Sequence, residues 1–191
     1  MSQELPTTAY ALLGLLTFGD DLTGYELKQR ADRTLRFYWV SPAMSQVYTE
    51  LARLADLGLV KARDAGPNKR SSKYSITGKG RRWLTTWLEQ EPAGFPVLKH
   101  PVALRLLVGH LVAPERTTVL LHDYLEQLED RRAELQRVRD SLHGRDDPGE
   151  PFHHPSMVAD WGLEYFEGER AVVEKLLRRI EETGRIEESP Q

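Results

Sequence analysis

Ser45, Gln46, Tyr48 and Thr49 place three hydroxyls and a carboxamide on or near one side of a helix. Val47, Leu51 and Leu54 recur on the other side at helical spacing, so that side packs inward. Exposed amides and hydroxyls on a helix are the groups that hydrogen-bond to base edges in a major groove. Gln46 can pair in two-pronged fashion with adenine, while Ser45 and Thr49 are less selective readers. After Gly58 come Leu59–Arg63, the turn-prone Ala65-Gly66-Pro67-Asn68 and then Lys69–Ile76. These read as two short strands around a basic loop. Lys69, Arg70 and Lys73 lie where such a loop would hold phosphates, and Lys28 and Arg30 on an earlier helix are weaker backbone candidates. Gly66-Pro67-Asn68 is a turn and not a nucleotide cradle, because it lacks the spaced glycines and lysine that chemistry requires. A half-polar helix followed by a basic hairpin is the pattern of a winged helix-turn-helix.

Charge distribution agrees with that pattern. The 191 residues carry a net charge of −3, but residues 1–91 hold 13 Lys/Arg against 10 Asp/Glu, and residues 92–191 hold 13 against 19. Lys61, Arg63, Lys69, Arg70, Lys73, Lys79, Arg81 and Arg82 cluster with only Asp64 among them. Positive charge therefore gathers where a phosphate-binding surface would need it. No apolar run approaches a membrane span, and the first residues lack the basic and apolar segments of a secretory signal. The chain has no cysteine, so disulfides and thiolate metal sites are excluded. A cytoplasmic address is the expectation.

The elements that must position these groups follow from caps and breaks. Thr7 or Thr8 caps a first helix through the apolar run 9–16. Thr23 and Glu26 form a capping box for a second helix reaching about Leu35. Ser41-Pro42 offers a cap and a first-turn proline for the third helix, and Gly58 ends it in the left-handed conformation. Thr77 begins a fourth helix with Trp83, Leu84, Trp87 and Leu88 on its apolar side. The expected boundaries are a winged domain over 1–91, a linker over 92–98, a helical domain over 99–183 and an acidic tail over 184–191. In the helical domain, His100–Val112 reads as a mostly buried helix, Pro114–Leu142 as a long one, and Ser156 as the cap of the last.

The long helices carry apolar stripes. Leu121, Leu128 and Leu135 fall at intervals of seven, while Val158, Trp161, Tyr165, Val172 and Leu176 line the last helix. Two such helices have only each other and one short helix to cover them. A second copy of the chain is the economical solution, so these residues are expected to form a homodimer interface. Packing within one monomer is the alternative. A dimer would present two reading helices to half-sites about one helical turn (~34–36 Å) apart, on near-palindromic duplex DNA. The fold class expected is mainly α with a small β-hairpin: an N-terminal winged helix-turn-helix followed by a C-terminal antiparallel helical dimerisation domain.

Three segments carry a resemblance to a known family. They are Ala11–Leu16 with Thr23–Leu27, Ser45–Val60, and Lys73–Gly80. On these residues the chain resembles the PadR family of transcriptional regulators, in its longer subgroup with a virulence-activator-type helical domain. The C-terminal half agrees in layout, with much less specific motifs. The resemblance implies a homodimer that binds operator DNA, usually as a repressor, with affinity changed by a small molecule in some members. It also implies that the Tyr48 hydroxyl contacts a phosphate oxygen. The family's turn before the tyrosine helix commonly carries His or Gly; here it reads Ser41-Pro42-Ala43-Met44, which puts the operator sequence in doubt. The Thr-x-x-Gly pattern persists as Thr77-Gly78-Lys79-Gly80.

Aromatic residues suggest an effector pocket. Phe37, Trp39, Trp161 and Tyr165 could enclose a small aromatic ligand, although such clusters are more often core. The six histidines show no ligand spacing with carboxylates, so neither metal nor cofactor is expected. No Ser/His/Asp order or nucleotide fingerprint points to an enzyme. The competing reading is a protein-interaction module, since winged helices also serve as docking surfaces.

Overall fold

Apolar residues at helical spacing build seven α-helices among the described residues, accompanied by three short strands. The computed structural model describes residues 5–19, 21–63, 72–96 and 99–187, with side chains through 182. The chain divides into two units, Met1–Gly94 and Phe95–Gln191.

The first unit contains α1 (Thr7–Leu15), β1 (Leu22–Thr23), α2 (Gly24–Thr34), a 3-10 turn (Leu35–Phe37), α3 (Met44–Asp56), β2 (Val60–Arg63), β3 (Lys73–Ile76) and α4 (Gly78–Gln90). The capping box forms as the spacing predicts: Thr23 accepts from the Glu26 amide, and the Glu26 carboxylate accepts from the Thr23 amide. Two other starts differ from expectation. Pro6, in extended backbone, precedes α1 without a side-chain cap, and Ala43 does the same for α3. Ser41 is diverted: its hydroxyl donates to Asp32 on α2 at 2.6 Å, so it ties the incoming loop to α2 instead of capping α3.

Gly58 ends α3 with φ +68°, a conformation that costs other residues about 1–2 kcal/mol. The chain then enters an antiparallel sheet of order β1-β3-β2, with Val60 opposite Ile76, Arg63 opposite Lys73 and Leu22 opposite Tyr74. The hairpin is therefore present, and β1 is a third strand that two residues between a glycine loop and a helix did not announce. Thr77 joins the pieces. Its hydroxyl donates to the Gly58 and Leu59 carbonyls and accepts from the Gly80 amide at 3.0 Å. Gly80 cannot carry a side chain, since a Cβ there would lie 2.1 Å from the Leu59 carbonyl oxygen. The Thr-x-x-Gly pattern is thus a backbone crossing, where α4 passes over the end of α3.

The core of this unit is aliphatic. Leu12, Leu13, Leu27, Val47, Leu51, Leu54 and Leu59 are fully buried. Each contributes roughly 1.5–3 kcal/mol by leaving water. Trp87 stacks on Tyr10 at 4.6 Å between centroids, and the Trp83 indole N–H donates to the Tyr10 hydroxyl. Leu88 departs from the expected apolar side of α4 and is exposed.

The second unit contains α5 (Pro101–Leu107), a 3-10 turn (Gly109–Leu111), α6 (Pro114–Asp140) and α7 (His153–Glu187). Helices α6 and α7 run antiparallel. Arg139 near the end of α6 reaches Asp160 near the start of α7 at 2.6 Å, and Arg132 reaches Glu167 further along at 3.6 Å. Leu121 and Leu128 pack with Val173 and Leu177. Leu121, Leu128 and Leu135 are therefore buried within one chain. That corrects their assignment to a surface between copies: α7 of the same chain already covers the stripe. The α7 side that does this carries Ala159, Gly162 and Val173 and lies one residue around from the stripe read in the sequence. Val158, Trp161, Tyr165 and Val172 remain exposed, with Trp161 72% accessible, and Leu176 is half-buried against the core.

Two further expectations fail in this unit. The segment His100–Val112 has no buried residue: Val102 and Leu106 meet the core, but Leu104, Leu107 and Leu111 face solvent. Ser156 lies inside α7, not at its cap, and its buried hydroxyl donates to the His153 carbonyl.

Candidate nucleic-acid interface

Helix α3 presents a polar face to solvent because its opposite face is anchored. Val47, Leu51 and Leu54 are sealed in the core, and Ser45, Gln46 and Thr49 are exposed. Ser45 and Gln46 have no side-chain partner among the described residues, so their hydrogen-bonding groups are available. Thr49 donates to the Ser45 carbonyl at 3.0 Å, which fixes its rotamer and leaves its oxygen lone pairs outward. These three side chains are brought together on the first two turns of one helix.

Tyr48 is half-buried, and Gly24 explains its position. A Cβ on Gly24 would come within 2.5 Å of the Tyr48 ring. The ring therefore lies directly over the first turn of α2, where the glycine leaves room for it. Lys28 is engaged elsewhere: its ammonium pairs with Asp32, which also accepts from Ser41. The Lys28 hydrogen bond, followed by the one from Ser41, holds the Asp32 carboxyl below its ordinary value. This draws Lys28 away from the phosphate role that its sequence position suggested. Arg30 likewise reaches back, donating to the Leu15 carbonyl at 3.1 Å.

On the wing, Lys73 is exposed at the start of β3, opposite Arg63. Lys69 and Arg70, together with the Gly66-Pro67-Asn68 turn, lie outside the described residues. Arg63 approaches Asp21 at 3.5 Å. Lys79 caps α3, donating to the Leu57 carbonyl at 2.7 Å, so it serves the fold.

The aromatic residues fall in both units. Phe37 is half-buried with the Arg36 guanidinium 4.8 Å above its ring, and Trp39 is exposed. Trp161 and Tyr165 are exposed on α7. Among the described residues no group of His, Asp and Glu could hold a metal, and no helix is long and apolar enough to cross a membrane.

A polar cluster in the second unit was not anticipated. His100 Nδ1 accepts from the Ala103 amide, capping α5, so the neutral ring carries its proton on Nε2. Nε2 then donates to Glu169 at 2.7 Å, while the Tyr124 hydroxyl donates to the same oxygen at 3.3 Å. Burial, and then the neighbouring Glu169 charge, raise the Tyr124 hydroxyl above its ordinary pKa. The cluster ties α5 to both long helices. Residues 69 and 45 positions apart gave no local signal for it.

Residues 12–86 match the model of the Transcriptional regulator PadR-like family. Among solved structures, Bacillus subtilis PadR in complex with operator DNA is similar over 92% of this chain and 99% of its own, at 25% identity and a TM-score of 0.78. The PadR-like regulator BC1756 from Bacillus cereus has 20% identity and a TM-score of 0.75 over 92% of this chain and 98% of its own. The Vibrio cholerae virulence activator AphA shares the fold at 19% identity and a TM-score of 0.69, over 92% of this chain and 98% of its own. No functionally curated protein matches in sequence. The α3 helix, the three-stranded wing and the antiparallel helical unit give the chain the fold of these PadR-like regulators, and residues 12–86 carry the match to the family model.

Proposed function

We propose that the protein is a homodimeric, sequence-specific operator-binding regulator that acts as a repressor and changes its affinity when a small aromatic molecule binds. The observation that carries this is the α3 face. It offers Ser45 and Gln46 unpartnered on an anchored helix, in the same unit as a wing whose central strand bears the exposed Lys73. In this reading Ser45, Gln46 and Thr49 contact base edges. Tyr48, Lys73, Lys69 and Arg70 hold phosphates. Lys28 contributes only if it leaves Asp32.

Support for a second copy comes from what the helical unit leaves uncovered. Val158, Trp161, Tyr165 and Val172 on α7 remain exposed, as do Leu104 and Leu107 on α5. Exposed large apolar side chains recurring along one side of a helix mark an interaction site. A two-fold copy would bring like faces together and space two α3 helices for a near-palindromic site. The effector reading has support from a structural relative, Bacillus subtilis PadR, whose complex with p-coumaric acid has been solved.

The test is selection of duplex fragments from a random pool by the purified chain, followed by sequencing. A recovered inverted repeat with half-sites one helical turn apart is expected. Recovery of no common sequence would favour the protein-docking reading of the winged unit.

A further inference from the structure

The second unit holds a concavity of about 350 Å3 between the end of α5, the 3-10 turn after it and the start of α6. We propose that this concavity binds a medium-chain acyl carboxylate. Val108, Leu111 and Leu120 supply apolar wall, and Arg105, Arg116 and Thr117 border it. No acidic side chain lines it. Among the described residues neither guanidinium has an ion-pair partner, and the Thr117 hydroxyl has no hydrogen bond.

Each feature narrows the ligand. Two guanidiniums without carboxylates select an anion, and their planar donors match a carboxylate in two-pronged fashion. The remaining wall is aliphatic, so the rest of the ligand is apolar. No aromatic ring lines the site, so a flat ring would find no face on which to stack. A flexible aliphatic chain fits that wall better. The volume lies at the low end of the roughly 300–1,000 Å3 common for small-molecule sites, which favours a short or medium chain. The site is placed to be felt by its neighbours, because α5 forms one wall and is tied through His100 to Glu169 on α7 and Tyr124 on α6. Leu104 and Leu107, offered above to a second copy, do not line it.

This goes beyond the operator-binding reading and does not rest on it, since the test contains no DNA. Titration calorimetry of the full chain with hexanoate, octanoate and decanoate should give one saturable site per chain. Each added two-carbon step should tighten binding, at about fourfold per methylene, until the concavity is filled. Octanol should bind at least tenfold more weakly than octanoate. The double variant R105Q/R116Q should lose octanoate to the same degree while melting like the parent, because both arginines are exposed. L120F, which fills the wall, should also lose binding. Absence of saturable binding, equal binding of octanol, or undiminished binding by the double variant would each overturn the site. Tighter binding of p-coumarate than octanoate through the same arginines would overturn the aliphatic assignment.

Discussion

At the scale of single residues, the proposed interface divides into readers and holders, and the division is measurable. Gln46 has a free carboxamide on the exposed face of α3, so Gln46→Ala should relax discrimination at its base pair by roughly 1–3 kcal/mol. Binding to unrelated duplex should hardly change. Lys73→Ala should weaken binding to all sequences alike and flatten the salt response by about two units, one for each copy in the dimer. Competition titrations with specific and scrambled duplexes would distinguish them; the same uniform loss in both variants would erase the division. The capping box gives a second residue-level expectation. The Thr23 amide, and then its hydroxyl, hold the Glu26 carboxyl below its ordinary value. A carboxyl lowered by folding stabilises above its ordinary range, and that contribution disappears as pH falls through the folded value. Thr23→Ala should therefore cost about 1 kcal/mol at neutral pH, and less in acid. Denaturant melts at neutral and acid pH would show the gap narrowing.

At the scale of elements, glycines mark where helices meet. Gly24 admits the Tyr48 ring, and Gly80 lets α4 cross the Leu59 carbonyl. Gly80→Ala must move backbone, so it should destabilise by more than the about 1–2 kcal/mol expected of Gly58→Ala, where only the left-handed φ is at issue. Thermal melts of the two variants would rank them, and a milder Gly80→Ala would contradict the crossing. The same contrast explains what was legible in the sequence. Local signals such as the Thr23/Glu26 box, Gly58 and the Thr77 cap predicted their elements because their physics is contained within a few residues. The α6 leucine stripe was legible too, but not the neighbour that covers it. Helix α7 has two adjacent apolar faces, and the sequence alone could not say which one meets α6. The residues of α5 misled for a related reason: they are apolar, and the monomer leaves Leu104 and Leu107 uncovered. Ser41 shows the opposite failure, a good capping residue claimed by Asp32 from another helix.

At the scale of the whole molecule, the proposed function requires two copies and a duplex. If the exposed α7 face joins the copies, Trp161→Glu together with Tyr165→Glu should shift the sedimenting species to a single chain without loss of helicity, since neither side chain is in the core. A double variant that stays dimeric would place the contact elsewhere. The most direct test of the central claim is the salt dependence of binding to a selected inverted-repeat duplex, followed by fluorescence anisotropy. Two wings, each neutralising three or four phosphates, should give a log–log slope of roughly −5 to −7. A slope near zero, or no binding even in dilute salt, would contradict the account.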